Sequence, residues 1–480
     1  MESIVDETLM PFKEFEQRIF AYVCELGRDI TTHLLERYDK ELATQRDTKV
    51  YRDKGPRKTT IKTLYGPVEY RRRVYQVKLD DGRVATVYLL DEAMKMDKIG
   101  LISSNLAEKI AMTITDATYR DTAEMISNTC GQSVSHAGIW GFVQNLGERI
   151  SEEEDSDVAK MKSGNTDGKK EIPVLFEEMD GVWLKMQGPD HKKIPSREMK
   201  VFTMYEGWEA DNKGSKSSRL ACKKMLAGME DSRQFHEKRE AFIRSRYEAD
   251  EIKQRILNGD GGSWIREEYD PDAIFQLDRF HIQKNIKELI RDKKAQRDIA
   301  SLFAEEKLDE MLEYILIYAD SVDSDEDKGK ARKNAKKLYR YLNNNREGLL
   351  PYHKRGIEIP EPQPGIIHKE MGVQENQNCT LITMRMKHRR MRWGRGANNL
   401  AKVLYRKENR ELIDTIDRFT DGLITTMYLN EIVEELSVAK APIKDGKGNP
   451  YLDRWYNHMP LLDAMQTASR KAFKRAFVGG

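Results

Sequence analysis

Only four cysteines occur in 480 residues, and Cys24, Cys130, Cys222 and Cys379 stand too far apart to form paired spacings. That argues against both a disulfide framework and a structural zinc site. Long apolar runs are missing as well. Tyr314 to Ala319 is among the longest, far short of the roughly 20 residues that span a bilayer. The N-terminal MESIVDETLM is acidic rather than basic and then apolar, unlike a secretory signal. The expectation is a cytoplasmic protein in a reducing setting, with no membrane partner. Net charge is nearly absent too, with Lys+Arg 82 against Asp+Glu 80, so the overall balance says little about partners.

The distribution of charge says more. Lys49 to Arg73 holds nine basic residues and two acids, and Arg385 to Lys407 holds nine basic residues and no acid. These stretches are candidate phosphate-facing surfaces, with Lys58, Lys62, Arg71, Arg72 and Arg73 in the first and Lys387, Arg389, Arg390, Arg392 and Arg395 in the second. The acidic runs Glu152 to Asp157 and Asp320 to Asp327 read as solvated linkers.

Among the acids, Asp180 in EEMDGVW, Asp260 in ILNGDGGSW and Glu375 in GVQENQN carry the chemical signal. Asp180 and Asp260 are placed where short β-patterned runs end, and LDRFH, with Asp278 and His281, follows closely. Carboxylates this far apart converge only if a sheet gathers them. A sparse acidic set is what two hard divalent cations need when they stabilise the attacking and leaving oxygens of a phosphodiester.

The chain is long enough for several cores. From Ile4 to Leu42, apolar residues including Val5, Leu9, Phe12, Ile19 and Leu34 recur every three or four positions, the stripe of a long amphipathic helix. Either core packing or a dimer seam accounts for it. TTIKTLYGPVEYRRRVYQV and GRVATVYLL read as a small antiparallel sheet, with Val68, Tyr70 and Val74 on one face and Glu69, Arg71 and Arg73 on the other. Three short helices follow, Leu101 to Thr115, Tyr119 to Asn128 and Ser133 to Leu146. They form either a helix-turn-helix offering Ser133, Ser135, His136 and Gln144 to a major groove, or a plain three-helix core.

Past the polar stretch Ser151 to Lys170, strands in a meander give way to alternating helix and strand, an α/β layer with a mixed sheet. Residues 292–345 are helical in pattern, and a proline-rich loop, Ile357 to Gly365, leads to Glu375. The expected division is an N-terminal helix (1–45), a basic β region (46–100), a helix-turn-helix region (101–150), a catalytic domain (171–290 and 365–410), a helical insertion (291–364) and a C-terminal helical tail (411–480).

Each acid also has a plain local reading. Asp-Gly is a turn dipeptide, Asp278 suits a helix N-cap, and Glu375 suits the positive end of a helix. Taken together, however, MDGVWLK, LNGDGGSW, LDRFHIQKN and MGVQENQNCTLITMRMKHRRMRWG resemble the transposases of bacterial insertion sequences in the ISLre-two family, related to the Mutator-like transposases. The resemblance runs over nearly the whole chain. It implies a ribonuclease H-like α/β catalytic domain interrupted by an all-α insertion, an N-terminal α+β DNA-binding region, and a DDE triad acting through two Mg²⁺ or Mn²⁺ ions.

By that resemblance Asp180, Asp260 and Glu375 match the metal ligands, and Asp278 and His281 match the Asp-x-x-His form of a Cys/Asp-x-x-His signature. Glu370 is the alternative to Glu375. One ion would lie between Asp180 and Asp260 and the other between Asp180 and Glu375, with His281 neutral and turned to a phosphate, a flanking strand or an acidic ligand. Trp393, Trp264 or Trp183 either packs in the core or stacks on an extruded base. The implied activity is cleavage and strand transfer at element ends on double-stranded DNA, by a homodimer or higher oligomer. A nuclease of the same fold, a non-catalytic DNA-binding protein and an assembly protein remain the alternatives.

Overall fold

The apolar stripe near the N-terminus becomes α1, Phe12–Gln45. The computed structural model describes residues 10–439 apart from 80, 96–99, 190, 211–217, 267–272, 323–325, 421 and 425–427. Val5, Leu9 and the part of the expected C-terminal tail from residue 440 onward lie outside the described residues. The described residues fall into two compact units, one within Met1–Leu106, Glu124–Val134 and Phe419–Gly480, the other within Ala107–Ala123 and Ser135–Arg418.

In the first unit, β1 (Arg52–Thr63), β2 (Gly66–Lys78) and β3 (Val84–Val87) form an antiparallel sheet. Alternation works as expected: Val68, Tyr70 and Val74 are buried while Glu69 and Arg71 are exposed. Val68 and Tyr70 share a core with Leu35 of α1, Ile61 and Leu90, the last in α2 (Leu89–Met94). The C-terminal half of α1 therefore packs on the sheet, and Phe12 and Phe20 remain exposed. Arg72 and Arg73 are corrected from the phosphate-facing set. Arg72 is buried against Asp91 with its guanidinium 3.9 Å from the Tyr88 ring, and Arg73 lies 3.3 Å from Asp53 and 3.6 Å from Asp39. Strand register turned Arg72 inward, and nearby acids took both charges. The helices α3 (Ser104–Ile114) and α4 (Tyr119–Thr129) follow.

The second unit opens its main run with α5, His136–Lys162, capped by Ser135, whose Oγ accepts from Gly138 N at 3.1 Å. The acidic run Glu152 to Asp157 is thus helix and not a solvated linker. The reason is a buried charge network: Glu154 accepts from Lys238 Nζ at 2.9 Å, Lys402 Nζ at 2.8 Å and Tyr405 Oη at 2.7 Å. Glu230 meets the same lysines at 2.8 Å and 3.4 Å. Burial alone would raise the Glu230 pKa, but Lys402 and then Lys238 outweigh it and hold it down at about 2 from an ordinary 4.5. The stability this group contributes is complete above pH 4.5 and is lost as pH falls toward 2. Urea unfolding is expected to lose about 3 kcal/mol over that window in the wild type, and Glu230→Gln should flatten the loss.

Then come β4 (Val174–Lys185), β5 (Ser196–Tyr205), a ribbon of β6 (Trp208–Ala210) and β7 (Ser218–Leu220), β8 (Lys224–Gly228), α6 (Ser232–Arg244), β9 (Gln254–Gly259), α7 (Ser263–Arg266), β10 (Ile274–Leu277) and α8 (Arg279–Leu289). The large sheet has the order β10-β9-β4-β5-β8. The strand β5 is antiparallel to β4 and β8, while β9 is parallel to β4 and β10. This is the mixed sheet expected. Phe176 and Tyr205 stack at 5.5 Å over one face, joined by Trp208 and Tyr352.

The helices α9 (Lys293–Ala304), α10 (Leu308–Ser321) and α11 (Glu326–Asn344) share a core with α8 through Ile282, Ile286, Ile299, Ile315 and Leu338. The chain returns through α12 (Gln374–Asn378), a π-helical segment Cys379–Lys387, α13 (Ala397–Glu408) and α14 (Leu412–Thr420). In the first unit, α15 (Leu429–Ala439) meets α1 through Arg37 and Glu431 at 2.7 Å.

Candidate metal centre

Asp180 does not end a strand as the Asp-Gly dipeptide suggested. The strand β4 runs through it, and Val174 to Asp180 are all buried. Gly181 makes no turn; it leaves room for the Glu198 side chain, whose Oε1 would lie 1.9 Å from a Cβ there and would have to swing aside. On the neighbouring strand the register Met179↔Gly259 brings Asp260, which directly follows β9, beside Asp180. Here the turn reading does hold: Gly261 has φ +80°, and Asp260 Oδ1 accepts from Gly262 N at 2.8 Å.

Asp180 Oδ1 accepts from Gly181 N at 2.8 Å and Oδ2 from Asn378 Nδ2 at 2.7 Å. Its Oδ2 also lies 3.4 Å from His281 Nε2. Glu375, exposed in the first turn of α12, completes a group in which Asp180, His281 and Glu375 each offer a ligand atom within 4.8 Å of the others. Glu370 points elsewhere, 3.6 Å from Arg279 and 4.0 Å from His353. Asp260 is adjacent to this group without belonging to it. Asp278 acts as a cap: Oδ1 accepts from Phe280 N at 2.8 Å and His281 N at 3.3 Å, and Oδ2 from Asn258 Nδ2 at 2.7 Å. It therefore positions His281 rather than joining the group.

What latches Glu375 to the sheet is Glu178, two residues before Asp180 and fully buried. It accepts from Tyr205 Oη at 2.6 Å, Asn258 Nδ2 at 2.9 Å, and the backbone amides of Gly372, Val373 and Gln374 at 3.1 to 3.2 Å. A carboxylate receiving the orphan amides that open a helix is the expected partner for them. Sequence reasoning missed Glu178, Asn258 and Asn378. The one available signal was a run of acids, FEEMD, inside an otherwise apolar strand. It also missed Glu198, whose side chain lies over Gly181 and receives the Trp264 indole.

The electrostatics are those of crowded acids. Burial raises the Asp260 pKa, the Gly262 amide works against it, and Asp180 and Asp278 add to the rise. Glu198 is raised by burial, countered by Lys200 and reinforced by Asp260 and Asp180. Burial alone would lower His281, but the hydrogen bond and charge of Asp180, then Asp278 and Asp260, outweigh it and raise its pKa. Carboxylate oxygens with one imidazole make a donor set that a divalent cation can occupy, and their mutual repulsion is what such a cation relieves.

Elsewhere, Lys387, Arg389, Arg390, Arg392 and Arg395 are exposed, and Arg389 and Arg390 hold φ of 52° and 57°. Lys58 pairs with Glu69 but keeps two thirds of its side chain exposed, and Lys62 and Arg71 are exposed. Ser133, Ser135 and His136 are exposed at the start of α5, whereas Gln144 is buried and accepts from Asn399 Nδ2 at 2.8 Å. Gln144 is thus withdrawn from groove contact. No described helix is long and apolar enough to cross a membrane.

A model of the uncharacterised protein family UPF0236 matches residues 5–412. The chain is 23% identical over 414 residues to the UPF0236 protein in vanSb 3'region of Streptococcus gallolyticus, covering 84% of each chain. Among solved structures it is similar, at 11% identity and a TM-score of 0.22, to the Drosophila P element transposase strand transfer complex, covering 74% of this chain and 90% of that one.

Proposed function

We propose that this chain, which belongs to the UPF0236 family, is a DNA transposase of a bacterial insertion sequence that cleaves and joins strands through a ribonuclease H-like domain. The observation that carries this reading is the meeting of Asp180, His281 and Glu375, with Asp260 alongside, at one end of a mixed sheet. The strand order supports it: an antiparallel β4-β5-β8 meander extended on its other edge by parallel β9 and β10 is the order expected of a ribonuclease H-like sheet.

Asp180 would hold one ion together with Asp260 and another together with Glu375, and His281 would be available to the second set. Two divalent cations, when bound, supply the positive charge that stabilises the attacking and leaving oxygens of a phosphodiester. Glu178 and Asn378 keep Glu375 and Asp180 in register, and Asp278 keeps His281 in place. The exposed arginines of 387–395 and the basic face of β1 and β2 would grip backbone phosphates without reading sequence. Ser133, Ser135 and His136, as part of a helix-turn-helix, would contact bases. Pairing two DNA ends requires a dimer or higher oligomer.

Full-length protein incubated with Mg²⁺ or Mn²⁺ and DNA carrying the element's ends is expected to nick at those ends, and Asp260→Asn to abolish nicking while still binding DNA. Joined products separate a transposase from a simple nuclease. If wild type and variant bind equally and neither cuts with either metal, the catalytic reading fails and a DNA-binding protein takes its place.

A further inference from the structure

A second feature of this unit lies away from the carboxylates. A cavity of about 430 Å³ is lined by Tyr119, Trp140, Arg385, Arg392, Trp393 and Arg395 among others. Its wall is built. Trp393 is buried, donates its indole N–H to Met386 O at 2.6 Å, and lies beside the end of β4 through a bond from its own N to Lys185 O at 2.9 Å. Arg385, 7% exposed, is fixed by Nε to Ile114 O at 2.8 Å, yet its Nη2 is buried without a partner. The Tyr119 hydroxyl is buried and unpartnered as well. Gly396 keeps the wall close, since a Cβ there would lie 2.7 Å from Gln144 Nε2 behind it and 3.1 Å from the Trp140 indole nitrogen.

Buried polar groups in folded proteins are nearly always paired, so two unspent groups on residues lining one cavity, Arg385 and Tyr119, call for a ligand rich in acceptors. Trp140 is 48% exposed and offers a flat apolar face, and the exposed Arg392 and Arg395 add positive charge. Donors, a stacking face and cations together exclude a metal ion and describe a nucleotide. Arg385 follows Glu375 along one continuous helical rod. Of the ten residues, seven are π-helical and rise less than the roughly 1.5 Å of an α-helix, so it lies under about 15 Å away, at most about four base pairs of duplex at roughly 3.4 Å each.

We propose that this cavity takes one nucleotide turned out of bound DNA a few base pairs from the carboxylates. Its base stacks on Trp140, its base-edge acceptors meet Arg385 and Tyr119, and its phosphates meet Arg392 and Arg395. The inference rests on the DNA-processing reading and names a subsite of it.

The test is metal-free binding of the full chain in EDTA to two duplexes of one sequence, one of them carrying a single unpaired 2-aminopurine nucleotide. The bulged duplex is expected to bind about tenfold tighter, as one stacked base allows, with its 2-aminopurine fluorescence quenched. Trp140→Ala should erase both effects without changing thermal unfolding, and Trp140→Phe should keep most of each. Equal affinity for the two duplexes, no binding of either, or a preference that survives Trp140→Ala overturns the inference. So does tight binding of free 2-aminopurine deoxyribonucleoside monophosphate with no preference between duplexes. Because EDTA silences the carboxylate site, this result and that of the cleavage assay are read independently.

Discussion

Asp180→Asn is expected to lower metal-dependent strand cleavage by about a thousandfold or more, the equivalent of several kcal/mol of lost charge stabilisation at the reacting oxygens. Asp180 is the acid common to every pairing at the site: it adjoins Asp260 by register and belongs to the group with His281 and Glu375. The amide keeps the shape but only one acceptor oxygen, so it can serve Gly181 N or Asn378 Nδ2 and not both, while losing the charge relieves repulsion from the neighbouring acids; stability without metal should change by less than about 2 kcal/mol. What disappears is the response to cations. Wild type at a hundredfold excess of Mn²⁺ over its Kd should gain about 3 kcal/mol of stability, seen as a rise in Tm, and the variant should gain almost none. Cleavage within tenfold of wild type, or an unaltered Mn²⁺ response, would remove Asp180 from the centre.

The second large effect concerns folding. Glu178→Ala should cost about 3 to 5 kcal/mol, because it strips a common acceptor from five donors in a dry interior: Tyr205, Asn258 and the amides of 372–374. Part of the loss is offset, since burial already raises the Glu178 pKa and the carboxylate is costly to keep there. Urea unfolding would show a lower midpoint with an unchanged m-value. Glu178→Gln keeps the volume, yet its new NH₂ group faces donors and should recover only part of the loss. A change below about 1 kcal/mol in Glu178→Ala would mean that the start of α12 is held by something else.

Much of this arrangement is legible from local pattern. A period of two placed β1 and β2 and buried Val68 and Tyr70, a period near four placed α1, and apolar-to-charged alternation placed the helices between residues 292 and 345. Those signals survive because each depends on neighbours within a few positions. The Asp180-Gly181 dipeptide misled for the same reason: as a local pattern it spells a turn, whereas the strand runs on through it with the Glu198 side chain of the next strand lying over the glycine.

Sequence by itself determined which acids were available, that strands end near Asp260 and Asp278, and that a basic segment follows Glu375. Tertiary structure alone decided their roles. It set Glu375 and not Glu370 beside Asp180, turned His281 into the group and left Asp278 as its cap, and drew Arg72, Glu154 and Gln144 inward. The physical reason is that charge pairing and burial depend on distances between residues remote in the chain, set by sheet register and helix packing, which no local periodicity encodes.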